Sequence, residues 1–170
     1  MTVDDNHGDI IGGRFDADIR LGGPVRKNVR MLHVSKASCS ITVASPHYFA
    51  RHPAPATPND LQSHACIRFN LNNQILAWNF QKGANTVEIA VSGLLIVNSM
   101  ELMVRGVLDG VAIGHAMEAH VEDHIAAGDL VPLLRDWSPV HSSYQLRYCL
   151  HRRPSNPFKA LIAFSEAQID

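Results

Sequence analysis

The sequence predicts an α/β protein, and three observations carry that prediction. Short apolar runs alternate with amphipathic segments along the 170 residues. The segments between them are short, with no internal repeat and no low-complexity linker. One stretch, residues 97–114 (VNSMELMVRGVLDGVAIG), reads as strand, capped helix and strand, the βαβ unit that builds mainly parallel sheets. Its first strand is the apolar run 94–97, short enough to be buried on both faces. Asn98, with Glu101 three residues on, gives the reciprocal pattern of a capping box. Met100, Met103, Val104, Val107, Leu108 and Val111 recur at helical spacing along one face. Gly110 is placed to end the helix in a left-handed turn. A second apolar run, 111–113, is closed by Gly114.

The remaining elements follow in order. Thr2-Val3 reads as a strand end, and DIIGGRF as a helical turn broken by Gly12 and Gly13. Residues 17–21 form a strand ending in the tight loop Gly22-Gly23-Pro24. Strands 29–34 and 39–44 come next, the second with Cys39, Ile41 and Val43 on one side. Ser45-Pro46 starts a short helix carrying Tyr48 and Phe49. The stiff segment PAPATP leads to Thr57-Pro58, which caps a second short helix through Gln62. Residues 65–69 read as a strand, 77–81 and 86–91 as a hairpin turning at 82–85. After the central unit come a helix over 117–127 stopped by Gly128, a strand over 130–134, a polar loop over 137–143 and a strand over 144–150. A last helix is capped by Asn156-Pro157.

Bulk properties narrow the function. A formal net charge of −1 leaves no basic footprint for nucleic acid. No apolar run approaches the ~20 residues of a membrane span, so no membrane partner is expected. The opening MTVDDNHGD has neither basic region nor apolar core, unlike a signal peptide. Three cysteines, Cys39, Cys66 and Cys149, lie far apart in strand-like settings. They read as buried thiols of a reducing, cytoplasmic protein.

The chemistry-bearing residues are sparse. His120 and His124 are four apart with Glu122 between them, but the metalloprotease pattern needs Glu where Val121 stands. No metal site, and no cofactor, is expected. No nucleophile elbow, Cys–His pair or phosphate-binding glycine loop occurs, so the reading is not an enzyme. The free N–H groups and dipole at the helix start suit an anion or a carbonyl oxygen, and Asn98 and Ser99 add polar side chains there. Capping alone accounts for the same two residues. Arg68, between Ile67 and Phe69, points away from both, where its planar fork is able to pair with a carboxylate; a solvent-facing strand arginine has the same pattern.

Several segments together resemble the effector-binding region of LysR-type transcriptional regulators: FDADIRLG (15–22), TVASPHYFARHPAPATPNDLQSHACIRF (42–69), NSMELMVRGVLDGVAIG (98–114) and IAAGDLVPLLRDW (125–137). The resemblance runs over nearly the whole chain, in order and spacing. It implies a type 2 periplasmic-binding-protein-like fold, two α/β lobes joined by two crossover strands near 39–44 and 144–150. Residues 1–38 and 150–170 would form lobe I, and 39–149 lobe II with the crossovers. It further implies a small-molecule effector bound by Gly22, Gly23, Ser45, Asn98 and Ser99, with the strand end at Arg68 and Phe69 and the turn at Gly114-His115 facing the same space. The helix start plus Arg68 suggest an anionic or polar aromatic effector. A homodimer or higher oligomer is implied, with DNA contacted only through an N-terminal winged helix-turn-helix. That module, the linker helix and the opening strand and helix of lobe I do not occur in this sequence, so lobe I is expected to be incomplete. The family's Gly-Leu-Gly-Ile turn reads Gly110-Val-Ala-Ile here, with Ala112 at the second glycine. The rival reading is a solute-binding protein of the same fold without a regulatory role.

Overall fold

The computed structural model describes residues 15–22, 27–71, 73–141, 143–150 and 154–167. The expected strand end at Thr2-Val3, most of the DIIGGRF turn and Gly23 lie outside these residues. The described strands are β1 (Ala17–Leu21), β2 (Val29–His33) and β3 (Ser38–Ala44), followed by the short helix α1 (Pro46–Phe49). Next come β4 (Arg68–Leu71), β5 (Gln74–Ile75), β6 (Trp78–Lys82), β7 (Asn85–Ile89), β8 (Ile96–Val97) and α2 (Met100–Leu108). The chain continues through β9 (Gly114–Met117), α3 (Glu122–Ala127), β10 (Val131–Leu133), β11 (Val140–His141), β12 (Tyr144–Cys149) and α4 (Asn156–Ala167). Two compact units result: one from the described residues up to Ser38 with those from His141 onward, the other over Cys39–Val140.

The first unit is a three-stranded antiparallel sheet ordered β1-β12-β2. Because β12 is its central strand, residues 144–149 group with this unit, whereas the sequence reading set them with the middle of the chain. Alternation along β12 puts Leu146 and Tyr148 against α4, where the Tyr148 and Phe158 rings meet edge to face at 5.4 Å. The opposite face carries Gln145 and Arg147, both buried. Helix α4 is capped by Ser155, whose Oγ accepts from Phe158 N–H at 3.4 Å. This is one residue before the expected Asn156 cap.

In the second unit β3 pairs antiparallel with both β10 and β9. The segment opening at Cys66 is the central rung of a parallel set. Cys66 bridges Ile113 on one side, and Arg68 and Phe69 pair with Ile96 and Val97 on the other. Backbone bonds Ile67 N–H to Ile113 O (2.8 Å) and Arg68 N–H to Leu95 O (3.0 Å) tie the three segments. This is the βαβ arrangement expected from residues 97–114, and α2 covers one sheet face with Met103 and Val107 packed on Ile41, Val43 and Ile67. The β6–β7 hairpin covers the other face, with Trp78 and Phe80 packed on Tyr48, Leu61 and Ile113. Trp78 and Phe80 are therefore buried.

Several local expectations shift, each for a physical reason. The run 94–97 is not buried throughout: Leu94 is fully exposed and Ile96 44% exposed, because among the described residues β8 has only β4 beside it and α2 covers the Val97 face. The N-cap of α2 is Ser99, not Asn98, so the capping box with Glu101 does not form and the Ser99 side chain makes no cap bond. At the other end Gly110 takes φ +70°, with Gly110 N–H bonded to Val107 O and Val111 N–H to Gly106 O, a Schellman closure. Val111 is thus past the helix and exposed. The helix expected over 117–127 breaks at Val121: Met117 ends β9, Glu118–His120 is a 3₁₀ turn and α3 starts at Glu122. Burial of Val121 in the core pulls that residue out of helical register. Strand β4 starts at Arg68 rather than 65, and the loop over 137–143 contains β11.

Candidate functional site

Alternation in β4 splits its side chains between two environments. Ile67 and Phe69 face α2 and its core. Cys66 faces the hairpin core, so Arg68 and Asn70 stand on that side too. On the neighbouring parallel strand Ile96 lies level with Arg68 and Val97 with Phe69, and Asn98 follows directly after β8. On the other flank, two residues beyond the Cys66–Ile113 bridge, His115 shares the same face. Its Nδ1 bonds Thr42 Oγ1 at 3.0 Å, and its ring stacks on Trp78 at 5.1 Å and tilts against Phe80 at 5.3 Å. Arg68 and Asn70 thus share one face of β4, and Asn98 follows the carboxyl end of β8, the end where open α/β sheets hold ligands.

The electrostatics of this face are unbalanced. Arg68 Nε and Asn70 Oδ1 are both buried with no hydrogen-bond partner. Among the described residues the half-buried Arg68 guanidinium has no ion pair either. A buried polar atom left unpaired costs about 1–3 kcal/mol, and more when charged. Such groups in a folded protein call for an explanation, and an anion is the natural one for an arginine.

The other expected site residues are placed differently. Ser45 is buried at the start of α1, its Oγ accepting from Tyr48 N–H at 3.4 Å as the helix cap. Ser99 caps the start of α2, with its carbonyl accepting from Met103 N–H at 3.1 Å. Phe69 packs beneath α2, and Gly114 lies so close to it that a Cβ there would sit 2.5 Å from Val107 Cγ2. Gly22 belongs to the other compact unit; it has φ +52°, donates to Ser143 O at 3.3 Å and accepts from the Arg147 guanidinium. Asn70 is the residue that sequence reasoning missed. Its signal was present: Arg68 and Asn70 are the two polar positions of an otherwise apolar alternation, Ile67, Phe69 and Leu71.

Other chemistry-bearing groups have structural explanations. His120 and His124 meet at a shallow cavity of about 290 Å³ with Glu101, Val104, Arg105 and Leu108. Among the described residues no three His, Cys, Asp or Glu side chains are arranged to hold a metal. Burial, then the carboxylate of Glu118 (Sγ to Oε2 3.0 Å), pushes the Cys39 thiol up to about 11. Burial alone pushes Cys66 up to about 12. No described helix is long and apolar enough to cross a membrane.

Two α/β units connected twice, between Ser38 and Cys39 and between Val140 and His141, each with its own core and with ligand-suited polar groups at the strand ends of the second, define a type 2 periplasmic-binding-protein-like domain. The family described as the LysR substrate binding domain matches residues 2–170, and the chain belongs to it. It is 35% identical over 166 residues to a putative transcriptional regulator of Pseudomonas aeruginosa, covering 95% of this chain and 54% of that protein. It is 27% identical over 164 residues to the HTH-type transcriptional regulator PgrR of Escherichia coli, covering 95% and 55%. The chain spans about half the length of the curated relatives it matches. Among solved structures, the regulatory domain of the C227S variant of AphB from Vibrio vulnificus superposes with a TM-score of 0.84 at 23% identity, covering 98% of this chain and 81% of that one. The regulatory domain of CrgA from Neisseria meningitidis gives 0.75 at 22% identity, covering 94% and 78%; both likenesses concern the fold. The chain is an effector-binding regulatory domain of the LysR type, and the names of its relatives favour the regulator over the solute-binding alternative.

Proposed function

We propose that this domain senses a small anionic or polar aromatic effector on the β4–β8 strand ends, through Arg68, Asn98 and Ser99, with His115 on the same face. The observation that supports this is the Arg68 guanidinium, half-buried and without an acceptor among the described residues. Carboxylate is the acceptor that its fork matches best. The start of the nine-residue helix α2 adds backbone donors without a side-chain cap competing for them. Gly22, Gly23, Ser45, Phe69 and Gly114 are proposed as contributors by family resemblance. Binding would act as a bias between conformations of the domain rather than as catalysis. In the whole protein it would control a cytoplasmic, oligomeric regulator that contacts DNA through a separate helix-turn-helix.

A thermal-shift screen of small carboxylates tests this. A ligand at a hundred times its Kd stabilises the folded state by about 2.7 kcal/mol, a readily measured shift. The reading expects hits on the wild type that are lost in Arg68→Met and weakened in the double variant Asn98→Ala/Ser99→Ala. Hits that persist unchanged in both variants would place the site elsewhere.

A further inference from the structure

We propose that the effector is a hydroxy or amino carboxylic acid: a short-chain carboxylate with a hydrogen-bond donor near the carboxyl group, which Asn70 selects. The inference rests on the sensing role of Arg68 and goes one step further, to the chemical identity of the second contact. The two unpaired atoms are of opposite kind. Arg68 Nε–H is a donor, and Asn70 Oδ1 is an acceptor. A plain carboxylate satisfies the first and leaves the second unpaired; a ligand with a hydroxyl or amine satisfies both. Their Cα atoms are two residues apart on one strand, about 7 Å, so a short carbon chain bridges them with one hydrogen bond at each end. Asn98, exposed and directly after the end of β8, is a further polar group that does not narrow the donor requirement. The apolar surroundings of the face, with Trp78 and Phe80 in the hairpin core behind it, strengthen both bonds by lowering the local dielectric.

The experiment is isothermal titration of the 170-residue chain with succinate and with malate, which differ by one hydroxyl. Malate is expected to bind the wild type about tenfold more tightly, the scale of one hydrogen bond to a buried neutral acceptor. Asn70→Leu is close to isosteric and removes a buried unpaired atom, so it is expected to fold at least as stably as the wild type. In that variant malate should fall to the level of succinate. In Arg68→Met both acids should be lost. Equal affinities in the wild type, a malate preference that survives Asn70→Leu, or no binding of either acid would each overturn the proposal. The two readings fail separately. Equal binding of both acids that needs Arg68 leaves the sensing site standing and removes the donor requirement. A malate preference that depends on Asn70 but is unchanged in Asn98→Ala/Ser99→Ala removes the helix start from the site and keeps the donor requirement.

Discussion

Replacing Gly114 by alanine tests how tightly α2 is seated on the sheet. An added Cβ would lie 2.5 Å from Val107 Cγ2 and 3.5 Å from Met103 Cγ. Carbon atoms pack at about 3.5–4.0 Å, so the first contact is short by about 1 Å. Relief by side-chain motion is blocked, because Val107 is β-branched and stiff in a helix and is 1% exposed, with Met103 equally buried beside it. The helix must lift instead, and overpacking of this kind costs about 1–3 kcal/mol. Val107→Ala alone deletes two buried methyl groups and costs about 2 kcal/mol with its cavity. In the double variant the new Cβ occupies the vacated space. The double variant is therefore expected to be about 1–2 kcal/mol less destabilised than the sum of the singles. Urea unfolding of the four proteins reads this from midpoints at constant m value. A Gly114→Ala cost under about 0.5 kcal/mol, or singles that add within about 0.5 kcal/mol, would refute the contact as the cause.

Three further expectations concern titratable groups. Tyr48 Oη is hydrogen-bonded to the Ala65 backbone and to His64 Nδ1 at 3.1 Å, so Tyr48→Phe strands both partners and should cost about 1–3 kcal/mol at pH 8. Burial, then the neighbouring charge of His52, holds His64 below its ordinary 6.5; the unfolded chain takes up the proton first, so stability should be full above pH 6.5 and fall as pH drops from there toward the folded value. His64→Gln should reduce that slope in urea midpoints taken between pH 8 and 5, and an unchanged slope would exclude His64 as its source. At pH 7.5 alkylation by iodoacetamide should find Cys66 inert and Cys39 slow, because both thiols are held neutral. Glu118→Gln removes the second largest cause of the Cys39 shift and should speed its reaction, a change that burial alone does not predict.

The fold was legible in the sequence where pattern and turn chemistry agree. Residues 17–21 alternate up to the turn residues Gly22-Gly23-Pro24, and Ser45-Pro46 and Gly128 mark helix ends by mechanisms that need no tertiary context. What the pattern missed was decided by packing. Periodicity alone runs a helix through 117–127, but Val121 is drawn into the core beneath α2 and splits the segment. Leu94–Val97 looks like a buried strand until one sees that a two-residue strand with a single neighbour buries only Val97. The capping box failed by one residue, since Ser99 rather than Asn98 is the last extended residue before the helix.

The candidate site was half legible, and the reason is physical. Arg68 stood out because a cation inside an apolar strand breaks the local rule. Asn70 did not, because a polar residue near an apparent strand end reads as the start of a turn. Only the pairing of β4 with β5 shows that the strand continues and that Asn70 shares the face of Arg68. Sequences break local rules mainly where function requires it. Two polar atoms of opposite kind, adjacent on one face and both unpaired, are such a break. A core optimised for stability alone would place apolar side chains at both positions, as neighbouring Ile67 and Phe69 do on the other face. Filling both bonds would remove the cost of leaving those atoms unpaired. On the reading proposed above, a bound acid with its own donor would do so and would link the cost of the empty site to its occupancy, which a regulator needs if ligand is to shift its conformational balance.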